Sequence, residues 1–592
     1  MMRRPRSARA ALAALALGTG CGLPLAERAS ETRNTCGGDG DCPGGSCAGG
    51  LCVAREADLS GLIVEVNAPG SAKDATATVS FVDLGALLAG SSPAWYVSGH
   101  AIELPPGLSV KGKLVLEPVP PKCEGAVAAD GSVPVSFELY PRLGTAGLPA
   151  PTYAAQARPP KEGGSAKTLE AEVRVPVGRY DVYMVPLLDA AGACQVPSLL
   201  QRDLVIESAQ TVQYDFKAPL SLAGSVRGYA VGGWTARIVD DLDGRVLSTS
   251  AVVSTDGHFG VELWPEIFDA SAYAPFIELT PPREAAGQGV PTALWSLGSV
   301  VVPPTAEQQA QGIDYAASLS FDAALAGAQT IDVEGAIISD EASSERLTGV
   351  VAIFSNKLLD GNLGAKLYYA TIAESDVDGG IAARLLPGTY DVLAKPSDGR
   401  FSIGSASWVV KPGDLGGGRA VVVAPKATLS GAVRTAHGAT ATGIPYSVQP
   451  SASRTRGYRE ELQLVQVQPS TAAGLTDEAG VFRVGIDLVE FDLSVEPDAT
   501  TGLPWLVRPR FVPATESPML DLEIPYPVVL EGALVTASGA RVADAVLRAW
   551  LPLPLTAEEM TRGETPVAVQ IGSAVSDGGG NYRLVLPPSI SR

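Results

Sequence analysis

The stretch TDEAGVFRV at 476–484 returns as SDGGGNYRLVL at 576–586 and, more loosely, as SDVDGGIAARL at 375–385. A turn that recurs with a strand behind it is the strongest constraint in this chain, because each copy must be the same corner of a repeated unit. Asp376, Asp477 and Asp577 are placed to fold their carboxylates onto backbone N–H groups two residues on. Gly379, Gly480 and Gly580 supply the positive φ of a turn, read here as the closing turn of a hairpin. Phe482, Val484 and Ile486 then share one face of a strand at period two, as do Tyr582, Leu584 and Leu586, and more weakly Ile381 and Ala383.

Upstream of each corner lies a strand start built around glycine: DVEGAIIS (332–339), TLSGAVRT (428–435) and VLEGALVT (528–535). From Gly335, Gly431 or Gly532 to the turn aspartate is about 40–46 residues. A compressed copy runs from SLAGSVRG (221–228) to STDGHFGVEL (254–263), and another begins at SVKGKLVLEP (109–118). A second motif, LLPGTYDVLAKP (385–396) and VPVGRYDVYMVP (175–186), places glycine two residues before tyrosine; in LVEFDLSVEP (488–497) Phe491 takes the tyrosine's place. The 65 glycines and 46 prolines are not periodic, which excludes collagen, and they bound many short apolar runs. The expected fold class is all-β.

Strand start, [TS]-D-x-x-G-x-[FY], then P-G-x-Y-x-V resembles the pattern of carboxypeptidase regulatory-like domains. These are transthyretin-like β-sandwiches of about seven strands, related in fold to starch-binding and Cna-B-type modules. The resemblance covers roughly 107–592 and is strongest in 327–425 and 426–592. It implies tandem transthyretin-like/Ig-like sandwiches at 58–218 (module 1, with leading strands), 219–326 (module 2), 327–425 (module 3) and 426–526 (module 4). Residues 527–592 form an incomplete module 5, which stops where module 3 continues into its closing strands. Missing strands expose unpaired backbone groups and one side of a core, so a loosely ordered end is expected, with a strand borrowed from another chain as an alternative. The strands YDVYMVP, YDVLAKP and FDLSVEP lack the asparagine of a Cna-B-type isopeptide crosslink.

The N-terminus sets the compartment. Arg3, Arg4, Arg6 and Arg9 precede the apolar AALAALALG (10–18), too short to span a bilayer. The following LGTGC resembles the lipobox of bacterial lipoproteins, with Leu17 one place further from the cysteine than usual. That resemblance implies a signal peptide over 1–20, a lipid on Cys21, a tether over 21–57, and a membrane partner through the lipid at the outer membrane, on its periplasmic or surface-exposed face. The six other cysteines are an even number in an exported chain and read as disulfide candidates: Cys36, Cys42, Cys47, Cys52, Cys123 and Cys194. The first four lie in CGGDGDCPGGSCAGGLC, whose spacings differ from the paired C-x₂₋₄-C clusters of structural zinc. Their pairing is open among three connectivities. Asp39 and Asp41 fall short of the 6–8 oxygens that calcium takes. The segment is expected to form a stapled collar above the membrane. A Cys123–Cys194 bond would close a loop of about 70 residues, worth ~4–5 kcal/mol in the chain-entropy model.

Little points to a reaction. His100, His258 and His437 are the only histidines and none is in a paired zinc spacing. There is no G-x-S-x-G elbow and no phosphate loop. A net charge of −20 argues against nucleic acid. No metal or cofactor is expected. The seven tryptophans are scattered rather than gathered on one platform, and AWYVSGH (94–100) and KLYYATI (366–372) are the best candidates for sugar stacking. The expected role is a non-enzymatic cell-surface lipoprotein whose sandwiches act as stalk, scaffold or adhesion modules, with an envelope protein or glycan as partner. The alternatives are a carbohydrate-binding array at the envelope and an accessory subunit of a secreted hydrolase.

Overall fold

The computed structural model describes residues 33–590 except 70–76, 78, 86–94, 117–134, 143–147, 149–150, 159–167, 187–196, 217–218, 228–231, 270–271, 321–329, 341–344, 359–365, 415–416, 452–466, 515–518, 563 and 565. The protein is nearly all β. Its strands form five sandwiches of one topology. In each, the first strand lies inside its layer, antiparallel to the fourth and parallel to the seventh, and in modules 2 and 3 a further two-residue strand, Val301–Val302 or Arg346–Leu347, widens that layer to four. The facing layer runs third, second, fifth, sixth. Three such units lie in sequence from Leu108–Leu116 to Gln210–Phe216, from Leu220–Arg227 to Tyr315–Ser320, and from Ile331–Ser339 to Arg419–Val423. The fourth runs from Ala427–Thr435 to Leu520–Ile524.

The fifth sandwich overturns the expectation of an incomplete, loosely ordered module. Residues 527–592 supply its first four strands: Val528–Thr536, Val546–Leu553, Val567–Val575 and Asn581–Leu586. Its fifth, sixth and seventh are Ile63–Asn67, Val79–Asp83 and Tyr96–Leu104, from the other end of the same chain. Ile63 pairs with Trp550 and Asn67 with Val546 in antiparallel register, while Tyr96–Leu104 runs parallel to Val529–Thr536. Leu62, Val64, Val66, Ile102 and Leu104, at most 2% exposed, share one core with Leu534, Leu547, Ile571, Leu584 and Leu586. The segment from residue 58 to 104 therefore does not lead into module 1 as its opening strands, nor does it stand alone. Burying its apolar face and pairing its backbone against the C-terminal half removes both liabilities of a short sandwich.

The repeated turn is also not a hairpin. The third and fourth strands it joins lie in opposite layers, so it is the arch that carries the chain across the core. Gly379, Gly480 and Gly580 have φ of 74°, 71° and 72°. A Cβ on Gly480 would stand 2.7 Å from the Val433 carbonyl oxygen, so the glycine is also required by close approach. Asp477 Oδ1 accepts from the N–H groups of Ala479 (2.9 Å) and Val481 (2.8 Å); Asp376 and Asp577 do the same two and four residues on. The glycine of the first strand has its own reason. Gly431 faces Phe482 across the ladder and Gly224 faces Phe259, and in both pairs the ring lies over the space a side chain would fill.

At three of the junctions the sixth strand of one module meets the third strand of the next. In modules 2 and 3 the two pair directly, Thr292–Ser296 with Lys366–Glu374, fusing the layers into one eight-stranded sheet. Between modules 4 and 5 the contact is Leu506–Phe511 against Val567–Val575. Between modules 5 and 1, the Tyr153 hydroxyl on a third strand donates to the Val79 carbonyl on a sixth (2.7 Å). Arg202 bridges modules 1 and 2, 2.6 Å from both Asp181 and Asp240. Buried Asp487 of module 4 accepts from the Ile403 N–H of module 3 (3.2 Å). Since strands within 63–104 and 528–586 share module 5, the five modules form a closed circuit rather than a linear array.

Candidate functional site: the seam where the chain closes

The cysteine-rich segment is folded onto this closure. Cys36 bonds Cys47 and Cys42 bonds Cys52, fixing the connectivity that the spacing left open. The Sγ atoms of Cys36, Cys42 and Cys52 cluster within 4.8 Å, but as disulfides they are not the thiolates a zinc ion takes. Asp39 and Asp41 have structural tasks. Asp41 Oδ2 accepts from the N–H groups of Gly37 (2.7 Å) and Gly38 (3.2 Å), and Asp39 Oδ1 accepts from the Cys47 N–H (2.6 Å). Cys21, Cys123 and Cys194 lie outside the described residues.

The stapled segment is a wedge between modules 4 and 5. Asn34 is buried. Its Nδ2 donates to the carbonyls of Cys52 (2.7 Å) and Gly502 (3.0 Å), its backbone N–H donates to the Thr501 carbonyl (3.0 Å), and its Oδ1 lies 3.1 Å from His437 Nε2. The Ala54 N–H donates to the Pro527 carbonyl (2.9 Å). Cys42, Cys52 and Ala54 pack with Tyr526, and Leu51 and Val53 with Val529. Small residues make the close fit: a Cβ on Gly45 would meet the Tyr526 ring at 2.9 Å, and one on Gly49 would overlap the Tyr96 ring. The glycines of CGGDGDCPGGSCAGGLC thus serve docking as well as turning, a purpose with no signature within the segment.

Along the same seam runs an open groove of about 650 Å³, lined by Thr500, Glu531, Arg541, Asp577, Asn581 and Arg583 among others. Its charges are internally matched. Arg583 pairs with Glu531 (2.8 Å), the Tyr96 hydroxyl donates to Glu531, and Arg541 reaches the Asn581 side-chain oxygen (3.2 Å). Burial first, then the Glu531 carboxylate, raises the Tyr96 phenol above its ordinary pKa. The hydrogen bonds from Asn581 hold the Asp577 carboxyl below its usual value. Of the repeated turns, only that of module 5 lines the groove.

Other nominated residues are not brought together. His437 faces Asn34, His258 is exposed on the arch of module 2, and the His100 carbonyl accepts from the Tyr582 hydroxyl (3.2 Å). The aromatics nominated for sugar stacking are engaged within the fold. Trp95 packs on two core clusters, Tyr96 on Gly49, and Tyr368 edge-on to Phe354, while Tyr369 is 3% exposed. Tyr390 and Tyr180 are core residues whose hydroxyls donate to the carbonyls of Leu386 (2.8 Å) and Pro176 (2.7 Å); burial raises both phenols. That i→i−4 bond is the reason for tyrosine in the P-x-G-x-Y and P-G-x-Y corners.

No protein-family model matches the sequence, and no curated protein matches it. Among solved structures, a Streptococcal ancillary pilin shows 12% identity and a TM-score of 0.22 over 52% of this chain and 98% of its own. The shaft pilin SpaA of Lactobacillus rhamnosus GG shows 13% identity and a TM-score of 0.15, over 35% of this chain and 98% of its own. The Bacillus anthracis TIE protein shows 10% identity and a TM-score of 0.15, covering 67% of this chain and 69% of its own. Such identities concern fold alone, and the functional reading rests on the chain's own geometry.

Proposed function

We propose that this protein is a non-enzymatic scaffold of the cell surface, held to the outer membrane by a lipid on Cys21. The observation that carries this reading is the closed circuit, in which residues 63–104 and 528–586 are built into one sandwich and the sheets of modules 2 and 3 are joined edge to edge. Such a frame is fixed by long-range β pairing and buried polar contacts between modules, which suits presenting loops at set positions more than a flexible stalk does. The tether enters beside Asn34, at the boundary of modules 4 and 5. In this reading the circuit lies close to the anchor instead of extending away from it, and an envelope protein or glycan binds an outward loop or the seam groove. Among the described residues no helix is long and apolar enough to cross a membrane.

The test is Cys21→Ser in the native cell, followed by fractionation and by an attachment assay for surface partners. The substituted protein is expected in the soluble fraction, with partner binding by the released protein intact and attachment of the cell lost. Unchanged membrane association overturns the anchor. Attachment that persists after release overturns the scaffold role.

A further inference from the structure

We propose that the C-terminal half-sandwich is a strand-accepting surface for a second copy of this chain, and that the docked disulfide knot is what directs closure onto the same chain. The accepting surface is defined by the pairing already described. Val546–Leu553 presents one ladder edge and Val528–Thr536 another, over a core that is complete only when residues from 58 to 104 are added. Nothing in those contacts requires the added strands to come from the same molecule. The ladders, the apolar contacts and the side-chain bonds, such as those of Glu65 with Arg548 (3.2 Å) and Trp550 (2.8 Å), are all ones that an identical segment of a neighbouring copy makes equally well.

What separates the two outcomes is effective concentration. Leu104 and Val528 are separated by four folded modules, and an end-to-end search of that length is far less efficient than one across a short linker. The knot shortens the search. Asn34 engages Thr501 and Gly502 of module 4 and faces His437, while Cys42, Cys52 and Ala54 pack on Tyr526 at the end of that module. Docking there sets the segment that follows next to Pro527 and Val529, where the accepting strands begin. Two disulfides keep the docking surface in shape in the absence of a sizeable core of its own. A lipid tether that concentrates copies in one membrane would favour the exchanged form whenever the knot is lost. The partner is therefore a second copy of this chain, joined by its residues 58–104.

The experiment uses the full chain with the photo-crosslinking residue p-benzoylphenylalanine in place of Asn67, which pairs with Val546. Equal amounts of ordinary and ¹⁵N-labelled chain are refolded together from low to high concentration, with the disulfides kept intact. They are then illuminated, and cross-linked peptides are read by mass spectrometry. Cross-links within one isotope class report closure on the same chain plus half of any exchange; hybrid cross-links report exchange alone. A second sample carries Cys36→Ser, Cys42→Ser, Cys47→Ser and Cys52→Ser. Hybrid cross-links are expected to rise with concentration and to be at least several-fold more abundant without the knot. Absence of hybrids in both samples at every concentration, with same-isotope cross-links present, overturns the exchange. Hybrids equally abundant in both samples overturn the role of the knot. Absence of any cross-link to the 546–553 strand overturns the closure itself.

Discussion

Ile102 lies far from residues 546–586 in sequence, yet in the folded chain it is part of their core. It is 1% exposed, pairs with Leu534 across a parallel ladder, and packs in the cluster that holds Leu547, Tyr582 and Leu584. Ile102→Ala removes buried methyl and methylene groups and leaves a cavity, which costs ~2–5 kcal/mol at a site of this kind. The loss falls on module 5, because Ile102 shares no core cluster with the strands of modules 1, 2 or 3. Native-state hydrogen exchange resolves this by region. Amides of the ladders at 528–536 and 546–586 that exchange only when module 5 opens should lose protection by about 30-fold to about 4,000-fold, at a factor of ten per ~1.4 kcal/mol. Peptides from 331–423 should be unchanged. The refuting result is specific: protection lost in 108–216 with 546–586 intact would mean that residues 58–104 belong to module 1 and that the circuit is open.

Three further outcomes follow from the same contacts. Gly480→Val places a β-branched residue at a φ of 71° with its Cβ 2.7 Å from the Val433 oxygen, so module 4 should lose ~3 kcal/mol or more; unchanged exchange in 427–495 would show that the arch tolerates a side chain. Arg202→Met should cost ~3–5 kcal/mol, because it strands fully buried Asp240 without its cation; a calorimetric transition identical to wild type would show that the network between modules 1 and 2 is not coupled to folding. Asp577 has a folded-state carboxyl pKa below its ordinary 3.8, so its support of the arch is complete above that value and lost as pH falls through the lower, folded one. Asp577→Asn should abolish that acid sensitivity in the exchange of Gly579 and Asn581 amides, and an identical acid profile in the variant would place the titrating group elsewhere.

The sandwich fold was legible because its signals are local. Period-two alternation after Asp477 and Asp577 reports a half-buried strand, and the aspartate–glycine spacing reports a tight corner. What that corner joins was not legible. An Asx turn with a left-handed glycine looks the same whether the next strand pairs with the last or crosses to the opposite layer, and only the ladders of Gly431 with Phe482 and of Tyr446 with Gly474 place the two strands in different sheets. The threonine or serine before the turn aspartate was likewise unexplained by sequence. Thr476 Oγ1 accepts from the Ile444 N–H (2.9 Å) and donates to the Ala441 carbonyl (2.6 Å), holding the arch to the start of the second strand; Ser576 repeats this with Ala545 and Val542.

The seam was hidden for a different reason. Its half-sites, within 33–104 and 501–590, lie far apart in the sequence, and each alone reads as something else: a collar followed by the leading strands of module 1, and a truncated module. The sequence by itself determined that units of this kind repeat, where their corners and glycines must fall, and that the cysteines from 36 to 52 suit disulfides, because each of these depends on residues within a few positions of one another. Only the tertiary structure decided which cysteines pair, what the knot rests on and how the last sandwich is completed. Those outcomes depend on apolar faces and open ladder edges finding complements across the whole chain, and a strand's own residues fix the face it buries without naming the partner that buries it.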